Sequence, residues 1–327
     1  MDGILIIDKP AGITSHDVVA RCRRILRTKK IGHTGTLDPF ATGVVVVLVG
    51  KATRLAQFLD KDAKEYEALF RFGFETDTGD RTGEPRDTNY EFRDISAAEI
   101  EAVLPEFRGE IMQTPPMYSA KKVEGKKLYE LARKGIEIER KAVAVKIYEL
   151  ELLESRVLSR ESRDKSELSA VADGLSSIEN QLTEDSRLPT QDSRLRVSCS
   201  AGTYIRTLAE DIGRKLNVGA HLAELRRTRA GKFNLSQAVT LEKLEKIVTA
   251  SNLDEILIMP NQAISHLAEV KLSDAETVKI KNGVRIQKDL TESKEGDFLR
   301  LTTDENLLAI GIYNESEKTV QPKLVLV

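Results

Sequence analysis

The densest concentration of groups able to do chemistry in this 327-residue chain is the loop Gly32-His33-Thr34-Gly35-Thr36-Leu37-Asp38-Pro39-Phe40-Ala41-Thr42-Gly43. Its glycines allow a close backbone approach to a ligand, and Pro39 stiffens the turn directly after the Asp38 carboxylate. A carboxylate held in this way serves as a nucleophile or a base. Taken alone, the Asp-Pro pair reads instead as a turn cap made by the aspartate side chain, as most such pairs are. Three other chemistries fail on spacing. Gly50-Lys51 suggests a phosphate loop, but Val45 stands where its first glycine belongs and Ala52 where its Ser or Thr belongs. His16, His33, His221 and His266 are scattered without metal-ligand spacing. Ser15 and His16 are adjacent, whereas hydrolase triad partners meet in space, and no G-x-S-x-G elbow occurs.

The elements that must position this loop follow from pattern. Gly3 to Asp8 is a short apolar strand closed by Lys9, Pro10 and Gly12. Thr14 and Ser15 offer N-caps to a basic amphipathic helix over 17–27, and Val44–Val49 is a strand buried on both faces. A strand from Lys64 to Gly73, a helix near Ser96 to Leu104, a short helix over 128–134 and a strand over 143–153 follow. The segment Gln113 to Lys121 is stiffened by two prolines, which excludes a central strand or a helix interior. Helix periodicity returns from Thr203 to Leu216. Beyond about Leu253, short β-like runs near 269–272, 298–301, 307–313 and 323–327 predict a small β-rich module. The chain therefore reads as α+β, a mixed-sheet body over 1–250 and a C-terminal module over 254–327. Residues 155–194 break the pattern, with no aromatic residue, nine serines and fourteen charged residues. Such a stretch buries too little apolar surface to offset its chain entropy and reads as an exposed insertion.

Lys and Arg number 50 against 52 Asp and Glu, a net charge of −2, so nucleic acid can be held only by a local patch. Two patches occur, Arg21, Arg23, Arg24, Arg27, Lys29 and Lys30, then Arg226, Arg227, Arg229 and Lys232. Either is equally a solvated face. Cys22 and Cys199, with no CxxC pair, exclude a disulfide framework and a cysteine-only zinc cage, and suit a reduced cytosol. No apolar run is long enough to span a bilayer, and the first residues lack the layout of a signal peptide. A cytoplasmic protein away from membranes is expected.

The loop as a whole resembles the catalytic motif of the TruB family, the bacterial tRNA pseudouridine 55 synthases. Four further segments agree in order and spacing: Lys9-Pro10-Ala11-Gly12-Ile13-Thr14-Ser15, Lys64-Glu65-Tyr66, Gly202-Thr203-Tyr204-Ile205-Arg206-Thr207-Leu208 and Leu225-Arg226-Arg227-Thr228. The resemblance covers nearly the whole chain outside 155–194. It implies the mixed-sheet pseudouridine synthase fold with a PUA-like RNA-binding domain over 254–327. The activity implied is conversion of a uridine in the T-loop of tRNA, position 55, to pseudouridine, without metal or cofactor. The base is detached from N1 and reattached through C5. Asp38 would be the nucleophile, by attack at C6 or C1′ or by way of a glycal. Arg206 would pair with it, a residue that alone reads as a phosphate contact or an ion pair.

By the same resemblance Tyr66 stacks on the target base and handles the C5 proton, where a strand tyrosine alone reads as core packing. Leu225 would wall the uracil pocket and His33 would stand near the flipped nucleotide. Lys9 and Tyr204 complete the expected substrate-binding set. The partner implied is the T-arm of tRNA, from which the enzyme extrudes the nucleotide; a monomer is expected. Two alternatives remain, a non-catalytic RNA-binding or tRNA-folding protein, and a pseudouridine synthase acting on another RNA or within a guide-RNA complex.

Overall fold

A computed structural model describes residues 1–60, 62–90, 93–119, 121–123, 125–132, 134–158, 190–304 and 306–326. In chain order its main elements are β1 (Gly3–Lys9), α1 (Ser15–Ile25), β2 (Ile31–Thr34), β3 (Thr42–Val49), β4 (Lys64–Phe72), β5 (Gly109–Gln113), β6 (Val143–Leu158), β7 (Thr190–Cys199), α2 (Ile205–Lys215), β8 (Ala220–Ala230), α3 (Leu241–Thr249), β9 (Ala268–Lys271), α4 (Asp274–Lys281), β10 (Phe298–Thr303), β11 (Asn306–Asn314) and β12 (Thr319–Val325). The chain packs as two compact units. One holds residues 1–37, 44–61 and 233–327, the other residues 38–43 and 62–232.

In the first unit, Ile4, Leu5, Ile6 and Ile7 of β1 are buried, as is the valine run of β3, so the strand pattern read from composition holds. Thr14 caps α1 by accepting from the Asp17 N–H, and Asp17 reciprocates at the Thr14 N–H, a capping box. β1 exchanges main-chain hydrogen bonds with Ile258 and with Val239. Those bonds place the N-terminal strand in the same unit as the C-terminal residues, whereas the sequence reading divides the chain near 250. The C-terminal module is a five-stranded sheet in which β9 runs parallel to β10, and β10, β11 and β12 are antiparallel. Val270, Ile280, Leu299, Leu301, Tyr313 and Val320 form its core. Its helix α4, absent from the sequence reading, starts at a Ser273–Glu276 capping box.

The second unit is built on an antiparallel sheet in the order β8, β4, β7, β6, β5. β4 alternates without a break, burying Lys64, Tyr66, Ala68, Phe70 and Phe72 on one face. Helix α2 packs Ile205, Leu208, Ala209 and Ile212 into the core. A Cβ on Gly213 would lie 2.4 Å from the Ala220 nitrogen, so only glycine lets the helix approach β8 this closely. The insertion expected over 155–194 falls, for residues 159–189, outside the described residues. At its two ends the chain is strand, with Ser155 opposite Ser193 and Leu158 opposite Thr190. Gln191 is buried there, donating to Ile95 O and Ser155 Oγ and accepting from the Ile95 N–H.

Candidate active site

Asp38 opens a tight turn in which its carbonyl accepts from the Ala41 N–H at 3.1 Å. Its side chain is 33% exposed and meets Arg206 two-fold, with Nε to Oδ2 at 3.1 Å and Nη2 to Oδ1 at 3.3 Å. Side-by-side contact of this kind orients a carboxylate and favours its ionised form. Arg206 is the second residue of α2, and only 6% of its side chain is exposed. Its remaining donors are used. Nη1 donates to Thr78 O at 2.9 Å and faces Asp80 Oδ2 at 3.5 Å, while Nη2 also donates to Tyr118 O at 2.7 Å. Asp80 is itself fixed, its Oδ1 accepting from the Thr78 hydroxyl and from the Thr82 hydroxyl and N–H. A buried guanidinium with two carboxylates and two carbonyls around it does not swing.

Tyr66 sits on the buried face of β4, directly opposite Arg227 of β8, and Ala68 lies opposite Leu225. The register runs without a bulge between those pairs, so Tyr66, Leu225 and Arg227 share one face. Burial pushes the Tyr66 phenol up; the Arg227 guanidinium pulls it back, and Cys199 and the Asp38 carboxylate push it up further. Leu225 is 7% exposed. Arg227 also stands level with Gly43, where a Cβ would come within 2.2 Å of the Arg227 carbonyl oxygen. Gly43 has φ +103°, so the loop that carries Asp38 can end against β8 only on a glycine.

The remaining expected residues are distributed as follows. Tyr204 is the N-cap residue of α2, held at both main-chain atoms by the buried Gln113 amide, which accepts from its N–H at 3.0 Å and donates to its carbonyl at 3.3 Å. Lys9 and His33 belong to the first unit. Lys9 is fully buried, its ammonium on Pro10 O at 2.9 Å and Ile13 O at 2.7 Å, so in this conformation it organises the 10–13 turn and exposes nothing to a ligand. His33, half-buried in β2 opposite Val47, meets the His16 ring edge-on at 5.4 Å. Ser15, buried in the same unit, clamps residue 37 by accepting from the Leu37 N–H at 2.9 Å.

The basic patches differ from their expectation in one residue. Strand alternation sends Arg227 to the buried face at 1% exposure, so it is no phosphate contact. Arg226 donates to the Thr42 hydroxyl, and Arg229 pairs with Glu65 at 3.3 Å. Arg21, Arg24 and Arg27 line a groove of about 720 Å³ with α3 in the first unit. Among the described residues no three or more His, Cys, Asp or Glu side chains are grouped to hold a metal ion, and no helix is long and apolar enough to cross a membrane.

Two family models match the chain. The N-terminal domain model of the TruB family pseudouridylate synthases matches residues 23–169, and that of the tRNA pseudouridylate synthase B C-terminal domain matches residues 206–264. The tRNA pseudouridine synthase B of Geobacillus thermodenitrificans (strain NG80-2) is 42% identical over 325 residues, 99% of each chain. The chain belongs to the TruB family. That of Solibacter usitatus (strain Ellin6076) is 43% identical over 283 residues, 86% of this chain and 85% of its own. In a crystal structure of a Cbf5-Nop10-Gar1 complex a chain superposes with a TM-score of 0.68 at 29% identity, over 99% of this chain and 85% of that one. A chain in an H/ACA RNP bound to a substrate RNA containing 2′-deoxyuridine does so at 0.66 and 27%, over 99% and 85%.

TruB family membership makes the chain a pseudouridine synthase with the mixed α+β fold. The residues that sequence reasoning passed over are those that hold Arg206, namely Thr78, Asp80 and Tyr118, while Arg227, read there as part of a basic patch, lies opposite Tyr66. Two of these act through main-chain carbonyls, which every residue carries and no motif marks. Asp80 lies in the Thr-, Asp- and Gly-rich stretch read only as polar. Its flanking Thr78 and Thr82, both two residues away, are the signal that would have found a braced carboxylate.

Proposed function

We propose that this TruB family member isomerises uridine to pseudouridine at position 55, in the T-loop of tRNA, with Asp38 as nucleophile. The observation that carries the reading is the two-fold Arg206–Asp38 pair, buried on the arginine side and one-third open on the aspartate side. That pairing supplies an ionised, oriented carboxylate at a face that a nucleoside can reach. Attack at C6, attack at C1′ and the glycal route all require it. The target base is shielded within a folded T-loop, so the enzyme extrudes it at a cost of a few kcal/mol. Stacking on Tyr66 and contact with Leu225 offset that cost, and Tyr66 is placed for the C5 proton. Arg21, Arg24 and Arg27, with Arg226, Arg229 and Lys232, hold phosphates, and the 254–327 module binds RNA as a PUA-like domain. The catalytic body extends to about residue 250, and the protein acts as a monomer, without metal or cofactor. Names of relatives 42% and 43% identical support tRNA as the substrate.

Likeness to a chain bound to another substrate RNA favours a second reading, isomerisation outside tRNA, at the lower identity of 27%. One assay separates the readings. Unmodified tRNA carrying tritium at uridine C5 is incubated with the protein, and tritium release is measured alongside the position modified. Release mapped to position 55 is the expected outcome. Asp38→Asn is expected to lower it by about a thousand-fold or more, the scale of removing a nucleophile. Unchanged binding without release by the wild type would leave an RNA-binding protein, and release outside the T-loop would replace the substrate.

A further inference from the structure

Arg227 is the largest fully buried side chain among the described residues. A strand position that needs only volume is filled by Leu or Met, because a buried guanidinium is costly unless its donors are used. Here the direct cross-strand neighbour of Arg227 on the same buried face is Tyr66, and the Arg227 charge pulls the Tyr66 phenol back against the effect of burial. Guanidinium carries donors and no acceptor, so toward Arg227 a phenolic oxygen can only accept, with its own O–H pointing elsewhere. The main chain on the other side of Arg227 is pressed against Gly43, at the end of the Asp38 loop, which leaves β8 no room to shift there.

We propose that Arg227 is a positioning residue for the isomerisation, donating to Tyr66 Oη so that the ring is anchored against the base and the phenolic O–H is turned away from Arg227, into the site. The proposal rests on the reading of Tyr66 as the ring that faces the uracil. The charged or titratable groups acting on the phenol are Arg227, the Cys199 thiol and the Asp38 carboxylate.

The test uses the full-length chain with Arg227→Met and Arg227→Lys, each alone and combined with Tyr66→Phe. Folding is checked by circular dichroism and thermal melting, and kcat and KM come from C5 tritium release. The Tyr66 phenol is titrated by NMR on protein labelled at tyrosine Cζ, its signal identified by its loss in Tyr66→Phe. Arg227→Met is expected to lower kcat about ten- to a hundred-fold, the worth of a hydrogen bond from a charged donor, and to raise the pH at which Tyr66 titrates. KM should stay within about three-fold. Arg227→Lys should recover part of both effects, and Arg227→Met should cost less than about two-fold once Tyr66 is Phe. A folded Arg227→Met with wild-type kcat, an unmoved Tyr66 titration, or full additivity with Tyr66→Phe overturns the proposal. Where Arg227→Met does not fold, the same comparisons are made on Arg227→Lys. A wild-type rate for Tyr66→Phe alone would overturn the role of the tyrosine itself, and the positioning role with it, leaving Asp38 untouched.

Discussion

His221 of β8 has 2% of its surface exposed, its ring lying 4.6 Å from that of Phe74 and its Nδ1 3.1 Å from Phe74 O. Burial, chiefly, pushes the imidazole down to about 4, with Arg71 adding to the effect and the Phe74 hydrogen bond opposing it. Between pH 6.5 and 4 the unfolded chain therefore binds more protons at this residue than the folded one, so stability is full above 6.5 and is lost as pH falls. The loss is about 1.4 kcal/mol by pH 5.5 and about 3 kcal/mol by pH 4. Unfolding free energies from urea titrations at pH 7.5 and 5.5 should differ by about 1.4 kcal/mol in the wild type and by clearly less in His221→Gln. A histidine read alone gives no sign of this, since type and spacing do not report burial. The same limit explains Lys9, a charge at the end of a strand in sequence and a fully buried clamp in the fold. Asp38, Tyr66, Arg206 and Leu225 were legible because a long motif match ties residues far apart in the chain, Asp38 and Arg206 being separated by 168 positions.

Elements carried the site more legibly than single residues did. Alternation along β4 assigns Tyr66 and Ala68 to one face from sequence alone, and the same rule applied to β8 would have separated Arg226 from Arg227 instead of joining them in one basic patch. What no periodicity predicts is that β4 and β8 pair with Tyr66 opposite Arg227, since register is a tertiary outcome. The junction of the Asp38 loop with β8 makes the sharpest element-level prediction. Gly43→Ala adds a Cβ 2.2 Å from the Arg227 carbonyl at a φ of +103°, and neither main chain is a flexible end that can yield. A destabilisation of about 3 kcal/mol or more is expected, read as a lower urea midpoint, with tritium release lost even in the fraction that folds. Gly12→Ala is the control, since its φ is also positive, at +84°, yet nothing lies within 4 Å of its Cβ; strain alone would cost the two variants alike.

At the scale of the whole chain, the first unit joins residues from both ends of the sequence, because β1 bonds to Ile258 and Val239, and a linear division near 250 does not capture that. Local patterns report which segments are strands and leave open which segments they meet. The second unit poses the converse case, a long stretch that pattern reading sets aside. Its flanks β6 and β7 are paired up to Leu158 opposite Thr190, and Gln191 ties this end of the sheet to Ile95 through buried hydrogen bonds. Paired residues in an antiparallel ladder lie about 5 Å apart, a gap that a two-residue turn closes. Replacing residues 159–189 with Asn-Gly should therefore preserve the hairpin. Closure entropy favours the shorter connection by about 2 kcal/mol, so the variant should melt at or above the wild-type temperature. Tritium release from tRNA should keep its kcat, because among the described residues Arg206 is held by Asp38, Asp80, Thr78 and Tyr118, and Tyr66 faces Arg227, all of them outside that stretch. A folded variant whose KM for tRNA rises more than about ten-fold while kcat holds would instead assign 159–189 to RNA binding, a role its arginines could serve through phosphate contacts.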